Sequence, residues 1–418
     1  MADHCVLLDS TKPVIVPIVA PASGTLRVGV EPRGIAVVAS LTDASGVPVR
    51  ATSPVDRLGV VTVVVPVHAG STTRLRVESR DSPDIRGEIC VGAELPARAD
   101  IARTRAERAF AAGGEATYRR DWQGAFAHYE AASRGFAGLG LNEGAAAALH
   151  AMGELAYMRL QREHDAASFA KAALEAYGAS ARRAVRGALV ALQVRAAVEV
   201  ADLNEATQRV ALQRMTAVAR GLFAGTPEGA RESARLIVLE GFFAFRAGSA
   251  DRAQQLFERA ADECRALKDW ECHARAAQNL AFIAESGENF SVALETYEEA
   301  LRLLDPAIAP ELAADVLDNV GKLQRAAGLV SESDDSHRAA LRLHSELRNC
   351  DGVRRTLALL GALHVQVGSL DDAIEELHRA TTADCATLLG EAQQPSGEAR
   401  SNRPAAVAIC ADAVQPDA

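Results

Sequence analysis

Cysteine and histidine are the side chains here that could bind a metal or supply a nucleophile, and the sequence holds 7 Cys and 10 His. Cys264, Cys272 and His273 fall close together, but a Cys-x7-Cys-His spacing without a fourth ligand is not typical of a zinc site. A local disulfide and a pair of packed thiols are the alternatives. The odd cysteine count argues against a full disulfide framework, while Cys5 with Cys90 and Cys264 with Cys272 are candidate pairs.

His337 and His344 are seven residues apart, which places them on one face of a predicted helix. We interpret His337 as a core residue and His344 as its exposed neighbour, not as metal ligands or bases. The acidic runs at 333–335 and 371–372 fall at predicted helix starts, where negative charge complements the helix dipole. The sequence contains no G-x-S-x-G, H-E-x-x-H or phosphate-loop motif. It therefore predicts no enzyme, no catalytic residue, no metal and no cofactor.

The charge balance excludes a dedicated nucleic-acid-binding protein. The chain has 45 Lys and Arg against 55 Asp and Glu, a formal net charge of -10, whereas nucleic-acid binding depends largely on neutralising phosphates. The sequence has no run of about 18 apolar residues that would mark a membrane span, and residues 1–14 lack the pattern of a signal peptide. We expect a cytoplasmic protein, with a periplasmic or secreted location as the alternative if an upstream signal was lost. The oligomeric state is left open.

The chain divides into two regions of different composition, and these regions must position the residues named above. Residues 1–95 are rich in Val, Ile and Thr, with clusters of Gly, Pro, Asp and Ser about every ten residues, a pattern typical of a small all-β sandwich. Leu26, Val28 and Val30 alternate with smaller or charged residues, which predicts a strand with one solvated face. Residues 43–46 have the composition of a hairpin turn. The predicted strands are 14–19, 24–30, 35–41, 60–67, 72–79 and 87–92.

From about residue 97 the sequence has helical periodicity and repeats itself every 40 residues. Each copy has a small residue, a second small residue 12 positions later, a large residue four positions beyond it, and an alanine three positions after that. Aromatic residues make up only 4% of the chain, so small residues must fill most of the core. The four copies comprise Gly241, Ala253, Phe257 and Ala260; Ala281, Ala293, Tyr297 and Ala300; Gly321, Ser333, His337 and Ala340; and Gly361, Ala373, Leu377 and Ala380.

This pattern predicts helical hairpins, each with a helix A and a helix B. The two small residues let the helices approach closely, and we expect the large residue to pack against the next hairpin. Gly248, Gly328 and Gly368 fall where helix A should end in a left-handed cap, with Gly287 one residue early. Weaker copies upstream, among them a degenerate one around Val210, Arg214 and Ala217, bring the count to about seven hairpins within residues 97–389. Residues 390–418 have the composition of a disordered tail.

These offsets resemble those of the tetratricopeptide repeat, whose usual period is 34 residues rather than 40. The resemblance implies a mainly α protein, an α-solenoid of about seven hairpins preceded by the β-sandwich, whose concave face is lined by helix A and binds a peptide or protein. In such proteins an asparagine in the groove holds the bound backbone, and an arginine beside it can take a carboxylate. The implied groove residues are Arg235, Phe242, Phe245, Arg275, Asn279, Phe282, Asn319, Lys322, Arg325 and Arg355. A solvated helix face is the alternative for all of them.

The order of a β-sandwich, an Ala- and Arg-rich junction at 103–113 and 40-residue repeats is similar to the region that precedes the CHAT peptidase domain in bacterial proteins. The His-Gly and Ser-Ala-Cys segments of that caspase-like domain do not occur in this sequence. We therefore expect a non-enzymatic scaffold or regulatory sensor whose partner is a protein or peptide, with a peptidase as one candidate. The alternative is the regulatory portion of a CHAT-type peptidase whose catalytic domain is missing.

Overall fold

The structure is a computed structural model, and its residues fall into two compact units, Met1–Gly248 (unit 1) and Ser249–Ala418 (unit 2). No helix among the described residues is long and apolar enough to cross a membrane. The described residues are 4–9, 11–42, 47–81, 85–94, 101–160, 162–201, 205–304, 309–383 and 387–388.

Unit 1 begins with two four-stranded antiparallel sheets that pack as a sandwich. The strand order is β1-β8-β3-β6 in one sheet and β2-β7-β4-β5 in the other. Leu26, Val28 and Val30 are buried at alternate positions of β3, as their spacing predicted, and they join a core of Val, Leu and Ile from both sheets. The strands are β1 (His4–Asp9), β2 (Val14–Val19), β3 (Gly24–Arg33), β4 (Val37–Thr42), β5 (Pro48–Thr52), β6 (Val61–Val67), β7 (Thr72–Ser79) and β8 (Arg86–Glu94).

The six strands expected from the sequence are confirmed, and two strands were not predicted. β1 pairs with β8 and brings Cys5 opposite Cys90, which form a disulfide. β5 is short and begins with Pro48, so its composition indicates a turn rather than a strand. It pairs antiparallel with β4. The turn predicted at 43–46 lies outside the described residues.

Unit 1 continues with helices that pair in sequence, α1 with α2, α3 with α4 and α5 with α6. The first hairpin shows why the small residue is needed, because a Cβ atom added at Gly113 would lie only 2.8 Å from the ring of Tyr129. The helices are α1 (Ile101–Tyr118), α2 (Trp122–Gly138), α3 (Asn142–Met158), α4 (Glu163–Tyr177), α5 (Arg183–Val200), α6 (Ala206–Phe223) and α7 (Gly229–Arg246).

Unit 2 contains the remaining helices of the described chain, and α9 pairs with α10, α11 with α12 and α13 with α14. The 14 helices found among the described residues agree with seven predicted hairpins. The helices of this unit are α8 (Ala250–Ala266), α9 (Trp270–Ser286), α10 (Phe290–Leu303), α11 (Pro310–Ala326), α12 (Val330–Glu346), α13 (Cys350–Val367) and α14 (Leu370–Thr382).

In two copies of unit 2 the large residue contacts its own hairpin. A Cβ atom at Gly321 would lie 2.7 Å from the ring of His337, and one at Gly361 would lie 2.6 Å from Cγ of Leu377. The expectation that this residue packs against the next hairpin did not include this contact within the hairpin. Leu377, in the last helix of the described chain, is still 37% exposed.

The register predicted for the degenerate copy in α6 was wrong by two residues. Val210, Arg214 and Ala217 are exposed, whereas the buried positions are Leu212, Thr216, Ala219 and Phe223. The ring of Phe223 fits this register because it packs against Gly187 of α5. A Cβ atom added at Gly187 would lie only 3.0 Å from that ring.

The turn between helix A and helix B uses a left-handed residue, as predicted. Gly248, Gly328 and Gly368 have φ values of +77°, +79° and +80°. In the α9–α10 hairpin the position in phase with them is Glu288, with φ +59°, while Gly287 has φ -90° and gains nothing from lacking a side chain.

Candidate binding face and the buried cluster behind it

Three A helices of unit 2, namely α9, α11 and α13, lie side by side and carry most of the predicted groove residues. Arg355 on α13 donates a hydrogen bond to Asp315 on α11, so equivalent positions of consecutive repeats meet directly. Half of the Arg355 side chain and nearly half of the Asp315 side chain remain exposed. We call the surface formed by these three helices the helix-A face of unit 2.

On α11 the predicted residues Asn319, Lys322 and Arg325 have free hydrogen-bond donors. All three side chains are half-buried, and within the described part of the chain they form no side-chain hydrogen bond or ion pair. The Nε atom of Arg325 is buried and has no hydrogen-bond partner among the residues that the structure describes. Because an unpaired donor at a protein surface is usually satisfied by water or by a ligand, this helix offers an amide, an ammonium and a guanidinium group for binding.

On α9 the predicted polar residues are already engaged within their own helix. Arg275 pairs with Glu271 at 3.0 Å, and Nδ2 of Asn279 donates to the carbonyl of Arg275 at 2.7 Å. One turn further along, the ring of Phe282 is 48% exposed. α9 therefore offers the second amide hydrogen and the side-chain carbonyl oxygen of Asn279, together with an apolar ring.

Beneath this face lies a buried polar cluster that sequence reasoning missed. The Asp318 side chain on α11 is only 3% exposed, and Thr356 on α13 donates to its Oδ2 atom at 2.8 Å. Nδ1 of His337 lies 3.2 Å from Oδ1 of Asp318, and Nε2 of His344 lies 3.5 Å from Oδ2. Both histidines are fully buried, so the expectation that His344 is exposed was wrong.

The neighbours of His344 explain its burial. A Cβ atom at residue 352 would lie 2.3 Å from the imidazole ring, so only glycine there leaves room for it. Nδ2 of Asn349 lies 3.4 Å from Nδ1 of His344, and the same asparagine caps α13 by accepting from the amide of Gly352. α12 and α13 are thus joined around one ring.

The cluster favours an ionised Asp318. Burial alone would raise the pKa of Asp318, but hydrogen bonds from His337, His344 and Thr356 outweigh this effect and lower the pKa to about 2. Arg355 adds a positive charge, because its Nε atom lies 3.5 Å from Oδ2. The spacing of His337 and His344 was the one signal in the sequence that could have revealed this cluster.

The remaining predicted groove residues lie on α7 in unit 1. Arg235 is half-buried with Nη1 3.6 Å from Glu232, and Phe245 is half-buried. Phe242 packs partly into the core formed with Val194 and Val198 of α5. Phe242 is therefore not an exposed ring.

In unit 1 the β-sandwich contacts the A helices. Arg27 of β3 lies 3.7 Å from Glu107 of α1, the residue equivalent to Arg235 in the first repeat. Arg231 of α7 donates to the carbonyl of Gly34 just beyond β3. The first A helix thus uses a predicted groove position to bind the protein's own β domain.

Residues 232–305 match the family model described as Tetratricopeptide repeat. This segment carries tetratricopeptide repeats. The match runs from α7 to α10 and therefore includes six of the predicted groove residues: Arg235, Phe242, Phe245, Arg275, Asn279 and Phe282.

Several solved structures match part of this chain at low sequence identity and with TM-scores below 0.5. BtubC from P. vanneervenii shares 17% identity over 59% of this chain and 96% of its own, with a TM-score of 0.42. A Rap protein complexed with Competence and Sporulation Factor shares 14% identity over 69% of this chain and 77% of its own, with a TM-score of 0.49. The Cut9-Hcn1 hetero-tetramer of APC/C shares 12% identity over 70% of this chain and 54% of its own, with a TM-score of 0.43. No protein of curated function gives a significant sequence match.

Proposed function

We propose that this tetratricopeptide-repeat protein is a non-enzymatic scaffold or regulatory sensor that binds an extended, acidic segment of a protein partner on the helix-A face of unit 2. The observation that carries the proposal is the row of unpaired donors on α11, formed by Asn319, Lys322 and Arg325. A carboxylate-bearing peptide would satisfy these donors, because charged hydrogen bonds between cations and carboxylates are the stronger ones in proteins.

The flanking helices add apolar contact and orientation. Phe282 on α9 presents an exposed ring, and exposed aromatic rings are frequent anchors of protein interfaces. On the other side, Arg355 is held by Asp315 and lies beside Asp318, so its guanidinium group is fixed in position before a partner arrives.

The buried cluster supports a structural role rather than catalysis. The Asp318, His337 and His344 side chains are at most 3% exposed, which leaves no room for a substrate to reach them. A carboxylate beside two imidazoles could in principle serve acid and base chemistry, but a catalytic group must touch the reacting atoms. We therefore assign to the cluster the task of holding α11, α12 and α13 together under the binding face.

Affinity selection tests the proposal. Random peptides displayed on phage are selected against the full chain, and the recovered peptides are synthesised with a fluorescent label for anisotropy titration. We expect an excess of Asp and Glu among the selected sequences. The combined variant Asn319→Ala, Lys322→Ala and Arg325→Ala should weaken their binding by about tenfold or more. The matched control Arg302→Ala with Arg342→Ala removes two exposed charges from the B helices and should leave the affinity unchanged. Equal losses in both variants, or selected peptides without acidic residues, would refute the assignment.

A finer version of the proposal makes the partner a peptidase. Its support is the resemblance of the domain order to the region that precedes CHAT peptidase domains. Genes next to this one, or the reading frame downstream, would show a His-Gly and a Ser-Ala-Cys segment if that version holds.

The disulfides bear on where the protein works. Cys5 is joined to Cys90, and Cys264 on α8 is joined to Cys272 on α9. Because disulfides persist in oxidising compartments and are rare in the cytosol, these bonds favour the periplasmic or secreted alternative over a cytoplasmic location. Fractionation of the native host, with the chain detected by antibody, distinguishes the two.

A further inference from the structure

A cavity of about 340 Å³ lies in unit 1 between the β-sandwich and the first helices. This volume falls within the range of about 300 to 1,000 Å³ that is usual for small-molecule sites. The apolar part of its wall comes from both layers of the unit, and includes Val55, Leu58, Phe110, Phe136 and Val185.

Two arginines line the cavity, and each already has a carboxylate partner. Nε of Arg27 lies 3.7 Å from Oε1 of Glu107, and Nε of Arg182 lies 2.6 Å from Oε1 of Glu31. All four side chains border the cavity. An anionic ligand would have to displace one of these carboxylates, so the arginines do not by themselves form an anion site.

A third carboxylate of the wall is not compensated. Glu143, in the first turn of α3, is exposed and forms no ion pair within the described part of the chain. Burial raises the pKa of Tyr177 to about 12; the charge of Arg182 opposes the rise, and the nearby carboxylates of Glu143 and Glu31 add to it. An aromatic ring close to carboxylates is an arrangement that attracts cations.

The cavity also borders a buried imidazole. His150 on α3 is 2% exposed; burial, and then the charge of Arg195, lowers its pKa to about 3. The ring is therefore neutral at physiological pH. Its Nε2 atom has no hydrogen-bond partner among the described residues, which leaves a polar atom that a ligand or a bound water could satisfy.

We propose that this cavity binds a small organic ammonium ion. Its apolar body packs among Phe110, Phe136 and Val185, and its ammonium group contacts Glu143 and the ring of Tyr177. The site lies wholly in unit 1, whereas the proposed peptide-binding face lies in unit 2, so either proposal can fail without the other.

Isothermal titration calorimetry on the full chain with probes of similar size and different charge tests this site. The probes are 2-phenylethylamine, 2-phenylethanol and 3-phenylpropionate. We expect the amine to bind at one site per chain, and the neutral and anionic probes to bind about tenfold more weakly or not at all. Equal binding of the alcohol, tighter binding of the anion, or no saturable binding of the amine would each overturn the proposal.

Variants locate the binding. Glu143→Gln removes the charge at nearly constant size and should weaken binding of the amine by about threefold to tenfold. Glu175→Gln removes an exposed charge from α4 outside the cavity and should have no effect. Ala147→Leu fills the cavity from α3 and should abolish binding, with circular dichroism as a check on folding. Unchanged affinity in Glu143→Gln would also overturn the proposal. Because the side chain of Glu143 is exposed, we expect this variant to fold normally.

Discussion

Oδ1 of Asp318 on α11 lies 3.2 Å from Nδ1 of His337 on α12, and both side chains are at most 3% exposed. The other carboxylate oxygen accepts from Thr356 on α13. Three helices of consecutive hairpins therefore share one buried carboxylate. Because a buried charge without its partners is costly, the stability of this part of the array should depend on each of these contacts.

We predict that Asp318→Asn destabilises the protein by about 3 kcal/mol, since the histidines and Thr356 lose a charged acceptor that water cannot replace. Asp315→Asn is the matched control. Asp315 also pairs with Arg355, but its side chain is 44% exposed, so its replacement should cost less than about 1 kcal/mol. Urea unfolding followed by far-ultraviolet circular dichroism measures both. Similar losses in the two variants would show that burial of the Asp318 cluster does not matter.

The same carboxylate predicts a pH dependence. The pKa of Asp318 is lowered to about 2 from the ordinary value of 3.8, so its ionised form stabilises the fold above about pH 4. This contribution, about 2 kcal/mol, is lost as the pH falls from 4 towards 2. The difference in unfolding free energy between wild type and Asp318→Asn should therefore shrink over this interval. A difference that stays constant to pH 2 would mean that Asp318 is not held ionised in the fold.

The hairpins could be predicted from the sequence because their signal is local. Ala253 and Ala293 recur 40 residues apart and are fully buried, as close helix packing requires. Where the signal was weak, in α6, the register could not be read, because the contact of Phe223 with Gly187 links helices that share no sequence pattern.

The spacing of His337 and His344 placed both rings on one face of α12, but the buried cluster itself depends on a third helix. The burial of His344 depends on contacts from outside α12, because Asn349 and Gly352 at the start of α13 lie against its ring. The positions that form the binding face could be predicted from the repeat, but the hydrogen bonds among their side chains could not. Asn279 donates to its own helix, whereas Asn319 at the same position of the next repeat forms no side-chain hydrogen bond among the described residues.

Glu288 predicts a stabilising substitution. It has φ +59°, a conformation that costs a residue with a side chain about 1 kcal/mol relative to glycine. Glu288→Gly removes this cost, but glycine also makes the unfolded chain more flexible, which offsets part of the gain. We therefore expect a net stabilisation of about 0.5 kcal/mol. Glu295→Gly, on an exposed position within α10, should instead destabilise by about 1 kcal/mol. Thermal unfolding of the two variants compares them, and a loss of stability in Glu288→Gly would contradict the turn geometry.

The disulfides Cys5–Cys90 and Cys264–Cys272 should differ in their contribution to stability because they close loops of different length. Cys5 and Cys90 are 85 residues apart, whereas Cys264 and Cys272 are 8 apart. Under the chain-entropy account, the longer loop stabilises by about 4 to 5 kcal/mol and the shorter by about 2 to 3 kcal/mol. We therefore expect Cys5→Ser with Cys90→Ser to lower the unfolding free energy about 2 kcal/mol more than Cys264→Ser with Cys272→Ser.

Alkylation of the unfolded, unreduced wild-type chain, measured by intact mass, checks that the bonds form. At least four of the 7 cysteines should resist modification. Seven modified thiols in that measurement would show that neither bond exists and would remove the argument for an oxidising compartment.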